Sequence, residues 1–505
     1  MKKRNTIISI FLLMLYSVSA QEFTDIEVDS DIDKVQPMSG IVFWRGDNTD
    51  TDKISLEFSY MLFDQVVIDS AVYDWTIVEN YLDDIAARGH QAIFRFRYVY
   101  VGEETSVPEY IKARPDYNET EGISEGEVTW FPDWTNEELQ RFSLEFYTKF
   151  AEKYDSDPRL AFIQVGFGLW GEYHIYDGPF ELGVTFPSKE FQTDFFHHLD
   201  TTFVETPFSI SIDAADDTYS PMQEDEDLLN IHFGLFDDSF MHEEFGGSNT
   251  ENWNFFDRNR YLHSPAGGEF SYYTAYDQAH VLDYPDGPYG QPFEYYAGDF
   301  HISYIIGNDQ PQYQTMSRIE DAGFACGYKF KIVSLKTNAD SAVAILKNVG
   351  IAPIYYDAYL TLDGIRSPVS LKLLPPEEEI ICPVAHGGTN PEIKIESDRL
   401  VEGQEIQYLG TINQLDIQDI TSQNIYYQLF PSILPQGEKI KILPLSSTTQ
   451  SVNIEIYNLS GQCIRRMNKQ SLPIEMNIFF LTKSMYLVKV YDEDQRENVF
   501  KILVQ

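Results

Sequence analysis

The chain has 505 residues, with 36 Lys and Arg against 80 Asp and Glu and a formal net charge of −44. So acidic a chain lacks the basic face that a phosphate backbone or an anionic lipid surface requires, which excludes nucleic acid and membrane surfaces as partners. Three cysteines far apart (Cys326, Cys382 and Cys463) exclude a disulfide scaffold and cysteine-built metal centres, and 43% apolar residues mark a globular chain.

Residues 1–20 read as a secretory signal peptide. Lys2, Lys3 and Arg4 precede an apolar run, which ends in the small residues Val18-Ser19-Ala20. No later run is apolar for long enough to span a bilayer, so the mature protein is expected to carry no transmembrane segment. From 36 to 320, short β-branched and aromatic runs alternate with amphipathic helices. The strands are read at Gly40–Phe43, Leu56–Phe63, Gln91–Phe96, Leu160–Gly166, Phe208–Ile212, Asn230–Leu235, Gly267–Tyr272 and His301–Ile306. Helix starts are read at the capping boxes Thr76–Glu79 and Thr135–Glu138, and at Ser188. In the helix after Thr135, Leu139, Phe142, Phe146, Phe150 and Tyr154 fall on one stripe. Eight such units predict a (β/α)8 barrel, the candidate catalytic domain. The doubly wound alternative lacks a glycine-rich phosphate loop after its first strand.

The helical period ends near 323. Short strands separated by turn signals predict a β-sandwich over 323–400, a polar linker over 401–425 and a further β domain over 426–505. The stretches LFPSILPQGEKIKI (429–442), IEIYNLSGQCIRRM (454–467) and MYLVKVYDEDQRENVFKILVQ (485–505) resemble the C-terminal sorting domain of type IX secretion cargo in Bacteroidetes-like bacteria. That resemblance implies the type IX machinery as a partner, passage through the outer membrane, and release or anchoring at the cell surface.

In a (β/α)8 barrel the chemistry stands at the C-terminal ends of the strands. Two carboxylates occupy such places. Glu172 follows the fourth strand in Gly166-Phe167-Gly168-Leu169-Trp170-Gly171-Glu172-Tyr173-His174. Glu269 follows two glycines at the seventh strand. Two carboxyl groups across a barrel mouth are what glycosidic cleavage needs, one to protonate the leaving oxygen and one to attack the anomeric carbon or activate water. The arrangement resembles retaining glycoside hydrolases of the large β/α-barrel clan, which implies Glu172 as acid/base and Glu269 as nucleophile. The clan has Asn before its acid/base; this chain has Gly171. More closely, Arg88–Arg97, Gly267–Glu269, His301–Ile305 and Asn348–Pro353 resemble a family of secreted bacterial glycosidase-like barrels with a trailing β domain and no settled activity. The resemblance spans roughly residues 36–390.

Substrate-binding candidates are Arg95 and Arg97 on one face of the third strand, Asp213 and Asp237 after the fifth and sixth, and His174. The aromatic residues Trp44, Trp170 and Tyr304 join them as stacking platforms. Asp237 doubles as a reserve nucleophile. No cofactor and no metal are expected. The expected function is an exported retaining glycoside hydrolase acting on a poly- or oligosaccharide. The alternative is a cell-surface glycan-binding protein on a barrel that has lost catalysis.

Overall fold

Strands with every residue buried need cover on both faces, and a closed parallel barrel ringed by helices supplies it. Gln91–Arg97 and Leu160–Val165 are such strands. In the computed structural model of the chain they belong to a closed barrel of eight strands. In chain order these are β1 (Gly40–Trp44), β2 (Leu56–Leu62), β3 (Gln91–Arg97), β4 (Leu160–Val165), β5 (Phe208–Ser211), β6 (Gly234–Phe240), β7 (Ala266–Phe270) and β8 (Ile302–Ile306). Each neighbour pairs in parallel, and β8 closes on β1. The (β/α)8 architecture read from the sequence is the one observed.

The described residues are 23–242, 248–411, 427–430, 433–434, 439–444, 451–458, 463–478, 481–492 and 497–504. The signal peptide expected over 1–20 and residues 412–425 of the expected linker lie outside them. The chain divides into two units, Met1–Thr411 and Ile412–Gln505.

The outer helices are α1 (Thr76–Ala86), α2 (Glu137–Tyr154), α3 (Lys189–Thr202), α4 (Ser248–Phe255), α5 (Phe293–Phe300) and α6 (Met316–Ala325). The α2 stripe from Leu139 to Tyr154 is buried as its period predicts. The caps differ from the expected boxes. Asp74, not Thr76, takes the Thr76 N–H and hydroxyl at 3.0 and 2.5 Å. Asn136, not Thr135, takes the N–H groups of Glu138 and Leu139 at 3.1 and 3.2 Å. In both cases the shorter, more acidic or amide-bearing neighbour competes better for the free N–H groups. Ser188 caps α3 as read. The sixth strand runs from Gly234 rather than Asn230, because a 3-10 turn occupies Glu226–Asn230. It carries Asp237 and Asp238, residues depleted in strands, so the sequence pattern ended it too early.

Two antiparallel sheets follow the barrel within the first unit. Phe330–Thr337, Ala342–Asn348 and Glu379–Val384 form the core of one; Ile365–Ser370, Tyr359–Leu362 and Ile393–Glu396 form the other. Tyr408–Leu409, expected in a linker, pairs with Phe330–Lys331. The interior of the barrel and the core of these sheets are one apolar cluster, in which Phe162 and Tyr304 meet Tyr356 and Ile354. The junction is also polar. Arg399 donates to the carbonyls of Asp155 and Leu160 and to Thr206 Oγ1, each at 2.9 Å, and its guanidinium lies 4.5 Å from the Tyr356 ring.

Several stretches that carry the family resemblance are architectural. Arg88 and His90 hold the fully buried Glu57, Arg88 with two bonds of 2.8 Å and His90 Nδ1 at 2.7 Å. The side chain of Asn348 ties four backbone groups of one turn region, those of Lys329, Gly350, Ala352 and Leu374. His301 is a left-handed cap of α5 whose Nδ1 meets the Ile351 carbonyl at 2.6 Å.

The second unit contains two antiparallel sheets of its own. One is formed by Tyr427–Phe430, Lys439–Pro444 and Ile474–Asn477, the other chiefly by Ser451–Tyr457, Cys463–Ser471, Ser484–Tyr491 and Glu497–Val504. Alternate residues of these strands, such as Ile454, Ile456, Val488 and Val490, make its core. Among the described residues no helix is long and apolar enough to cross a membrane.

Arg399→Ala removes the guanidinium from two buried acceptors, the Leu160 carbonyl and Thr206 Oγ1, and from the part-buried Asp155 carbonyl, and should lower the stability of the first unit by about 2–4 kcal/mol. A denaturant melt that does not move would show that the junction does not depend on it.

Candidate active site

The exit from β4 is a tight knot. The Glu172 carbonyl accepts the N–H groups of Phe167 and Gly168 at 3.0 and 2.8 Å, and the His174 carbonyl accepts that of Leu169 at 3.0 Å. A Cβ on Gly166 would lie 2.2 Å from the Gly171 carbonyl oxygen, and one on Gly168 2.0 Å from that of His174. Only glycine fits either place. Gly171 itself has φ +72°, and a Cβ there would press on Arg95 Cδ and Arg97 Cβ at 3.2 Å. A side chain at that position is therefore strained by backbone and contact alike.

The knot turns Glu172 into the barrel, where it is buried. Its Oε1 accepts from Arg95 Nη1 at 2.7 Å. Arg95 also donates to Gln164 Oε1 at 2.9 Å and lies within 4.4 Å of the Phe236 ring. The other oxygen, Oε2, stands 3.7 Å from His174 Nε2, while His174 Nδ1 bonds Asp213. A carboxylate oxygen of Asp238 comes within 4.8 Å of Glu172 and His174 as well.

Glu269 arrives from β7. Gly267 leaves room for the ring of Tyr304, which a Cβ would meet at 2.4 Å, and Gly268 lets the Asp237 carbonyl approach to 2.2 Å of the same position. The two glycines therefore let β7 pack between Tyr304 and β6 and lift Glu269 to the mouth. No charged partner touches its carboxyl among the described residues, and it is buried.

This crowd of acids sets the electrostatics. Burial pushes Glu172 well above the usual carboxylate range; the charge of Asp238 adds to it, and Arg95 opposes it. Burial also pushes Glu269 up, to about 8, with Arg95 opposing and Asp238 and Asp309 adding. Asp238 is raised by burial and by Asp213. Burial works against protonation of His174, but the bond to Asp213 outweighs it and the ring's pKa rises.

A cavity of about 530 Å³ opens over these groups. Glu172, His174, Asp238 and Glu269 line it, with Asn308 and Asp309 from the end of β8. Its walls are aromatic: Trp44, Tyr60, Tyr100, Trp170, Tyr176, Tyr272 and Tyr273. Trp170 stacks on Tyr176 with centroids 6.0 Å apart. Tyr273 is 69% exposed, so an open ring face stands at the rim.

The structure thus gathers Glu172, Glu269, His174, Trp170 and Trp44 at one cavity. The remaining candidates stand elsewhere. Arg95 lies beneath Glu172 and is spent on it. Arg97 bonds Glu103 at 2.7 Å and packs on Tyr100, bracing a loop. Asp213 stands behind His174. Tyr304 is fully buried inside the barrel, its hydroxyl taking the Gln164 amide at 3.0 Å. Asp237 faces outward, and its carboxylate holds α4 through Asn249 at 2.8 Å and Trp253 at 3.0 Å. Its neighbour Asp238 faces the cavity instead. Side chains alternate along a strand, so the choice between adjacent aspartates needed the strand phase that the sequence reading lacked. The sequence pattern offers Asp238 beside Asp237 as a contact for sugar hydroxyls; Asn308, Asp309 and the tyrosine walls are the cavity residues that it passes over. The doublets Asp237-Asp238 and Asn308-Asp309, each at a strand end, were the available signal.

Residues 428–505 match the model for a secretion system C-terminal sorting domain. The match indicates type IX secretion and export to the cell surface or beyond it. Comparison with curated proteins finds no relative. Among solved structures the first unit is similar to a family 39 glycoside hydrolase from the gut symbiont Bacteroides cellulosilyticus WH2, at 11% identity and TM-score 0.37 over 70% of this chain and 82% of that one. It is also similar to the GH36 alpha-galactosidase AgaA from Geobacillus stearothermophilus, at 10% identity and TM-score 0.31 over 69% and 55%. The chain spans about half the length of that galactosidase. Both neighbours are glycoside hydrolases built on a barrel, and at this distance the likeness carries nothing about reaction or substrate.

The raised pKa of Glu269 has a consequence for stability. Below its ordinary value of 4.5 the group is protonated in folded and unfolded chains alike. As the pH climbs from 4.5 to about 8 the unfolded chain ionises first, so the folded state loses stability across that window. Glu269→Gln removes the loss. Thermal melts should show variant and parent close together at pH 4 and the variant more stable at pH 8.5, by a few kcal/mol. A variant less stable than the parent at pH 8.5 would contradict the burial argument.

Proposed function

We propose that the protein is an exported retaining glycoside hydrolase acting on a poly- or oligosaccharide, with Glu172 as acid/base and Glu269 as nucleophile. The observation that carries the reading is the meeting of two buried carboxyls, from the exits of β4 and β7, in one aromatic-walled cavity at the C-terminal mouth of the barrel. Burial and Asp238 raise the pKa of Glu172, which favours the protonated state from which a general acid starts. Arg95 fixes the orientation of that carboxyl through Oε1. Among the described residues no cation touches the Glu269 carboxyl, whose pKa stands at about 8. Its proton passes to solvent before attack, and the positive charge developing at the anomeric carbon then favours the carboxylate. The open faces of Tyr272 and Tyr273 and the Trp170–Tyr176 stack suit pyranose rings, which are apolar on one face and hydroxylated at the edge. Asn308, whose Oδ1 is held by the Trp44 N–H at 3.0 Å, keeps its amide donors for a sugar hydroxyl.

A second reading is favoured by Gly171. The place from which the barrel clan holds the sugar 2-hydroxyl has no side chain here, and one would crowd Arg95 and Arg97. On that reading the cavity binds glycans without cleaving them.

Digestion of a glycan panel by the purified protein separates the two. Hydrolysis should appear with retained anomeric configuration by NMR. Glu172→Gln and Glu269→Gln should each lower kcat/KM by about 10²–10⁴-fold without loss of fold. Glycan binding with no release of reducing ends, unchanged in either variant, would refute the hydrolase and leave the binding protein.

A further inference from the structure

We infer that Glu172, His174 and Asp238 form a binding site for one divalent cation of the Zn²⁺ kind, at which the ion displaces Glu172 from its acid role. The ion binding stands on geometry alone; its effect on turnover rests on the hydrolase reading above.

One ligand atom from each of the three residues lies within 4.8 Å of the others. Such a cluster acquires meaning from His174. Its residue is 9% exposed, and Nε2 is buried without a hydrogen-bond partner. With Asp213 accepting from Nδ1, the neutral ring carries its lone pair on Nε2, which faces Glu172 Oε2 3.7 Å away; a metal ion takes the place of the proton that the ring otherwise gains there. A carboxylate behind one imidazole nitrogen and an unused lone pair on the other is how proteins present histidine to a metal. Two ligands at about 2.0–2.1 Å from a tetrahedral ion stand about 3.3–3.4 Å apart. The observed gap therefore needs to close by only a few tenths of an ångström.

The third edge follows from charge. A carboxylate oxygen of Asp238 lies within 4.8 Å of the ligand atoms of both Glu172 and His174. A cation seated among them meets two negatively charged oxygens and one imidazole nitrogen. Arg95 does not fill the role, because it occupies Oε1 and leaves Oε2 to the His174 side. One imidazole and two carboxylates favour Zn²⁺ over Ca²⁺ or Mg²⁺, which prefer more ligands and oxygen alone. Three protein ligands leave a fourth position open to the cavity. With the ion in place Glu172 has no proton to deliver to a leaving oxygen.

Calorimetric titration of the untagged, chelator-treated full chain with ZnCl₂ tests the site. One equivalent should bind, with affinity reduced at least tenfold in His174→Gln and in Asp238→Asn. ZnCl₂ should raise the melting temperature of the parent and leave that of His174→Gln unmoved. Asp213→Asn, outside the ligand set, should weaken binding about 10–100-fold, and it carries the test if a ligand variant does not fold. Zn²⁺ binding absent from the parent, or equally tight in all variants, overturns the inference. If a glycan is hydrolysed, Zn²⁺ should suppress the reaction and a chelator restore it. Hydrolysis intact with no zinc bound sinks this inference alone, and zinc bound with no hydrolysis on any glycan sinks only the hydrolase.

Discussion

The buried guanidinium of Arg95 is the contact on which the mouth of the barrel depends. It lies on β3 in the barrel interior, gripped by Gln164 and faced by the rings of Phe58 and Phe236. From there it takes one oxygen of Glu172 and the carbonyl of Trp170. It thereby anchors the β4 exit loop, and its stem crowds any side chain at position 171. Glu172, Glu269, Asp213, Asp238 and Asp309 all cluster around this mouth, and Arg95 is the cation that bears on Glu172 and Glu269. One cation cannot neutralise so many acids. The remainder is settled by protons, by His174 and by whatever positive charge enters the cavity.

Such a site is held together at the expense of stability. The rest of the first unit is built to offset that. The helix layer packs phenylalanine and tyrosine in unbroken stripes against the strands, as α2 does. At the opposite end of the barrel, Tyr356, Arg399 and the antiparallel sheets seal the interior. Glu57, an equally buried carboxylate, is matched there by Arg88 and His90. The contrast is informative: the buried acid away from the mouth is fully paired, whereas Glu269 at the mouth has no charged contact.

The stretches that suggested a family also divide by role. Arg88–His90, His301 and Asn348–Pro353 serve the strand packing and the junction beneath the barrel, so they speak for architecture. Only Gly267–Glu269 reaches the cavity. The sorting domain is a separate unit with its own core, and it speaks for where the protein goes and not for what the barrel does.

The sequence by itself determined the number of barrel strands, the helix stripes, the trailing β regions and the export tail. These rest on local period and composition, which survive without knowledge of neighbours. It also singled out Glu172 and Glu269, because glycine-rich strand exits are local too. Only the tertiary structure decided which side chains share the cavity. Asp238 rather than Asp237 enters it, because a single-residue shift in strand phase inverts every side chain. Arg95 and Tyr304 lie beneath the cavity floor, because depth along a barrel axis depends on the shear of all eight strands together. Tyr60 of β2 joins Tyr100, Tyr272 and Tyr273 in the walls because strand ends and loops far apart in the chain converge at one end of the barrel, and no pattern within any one of those segments encodes that convergence.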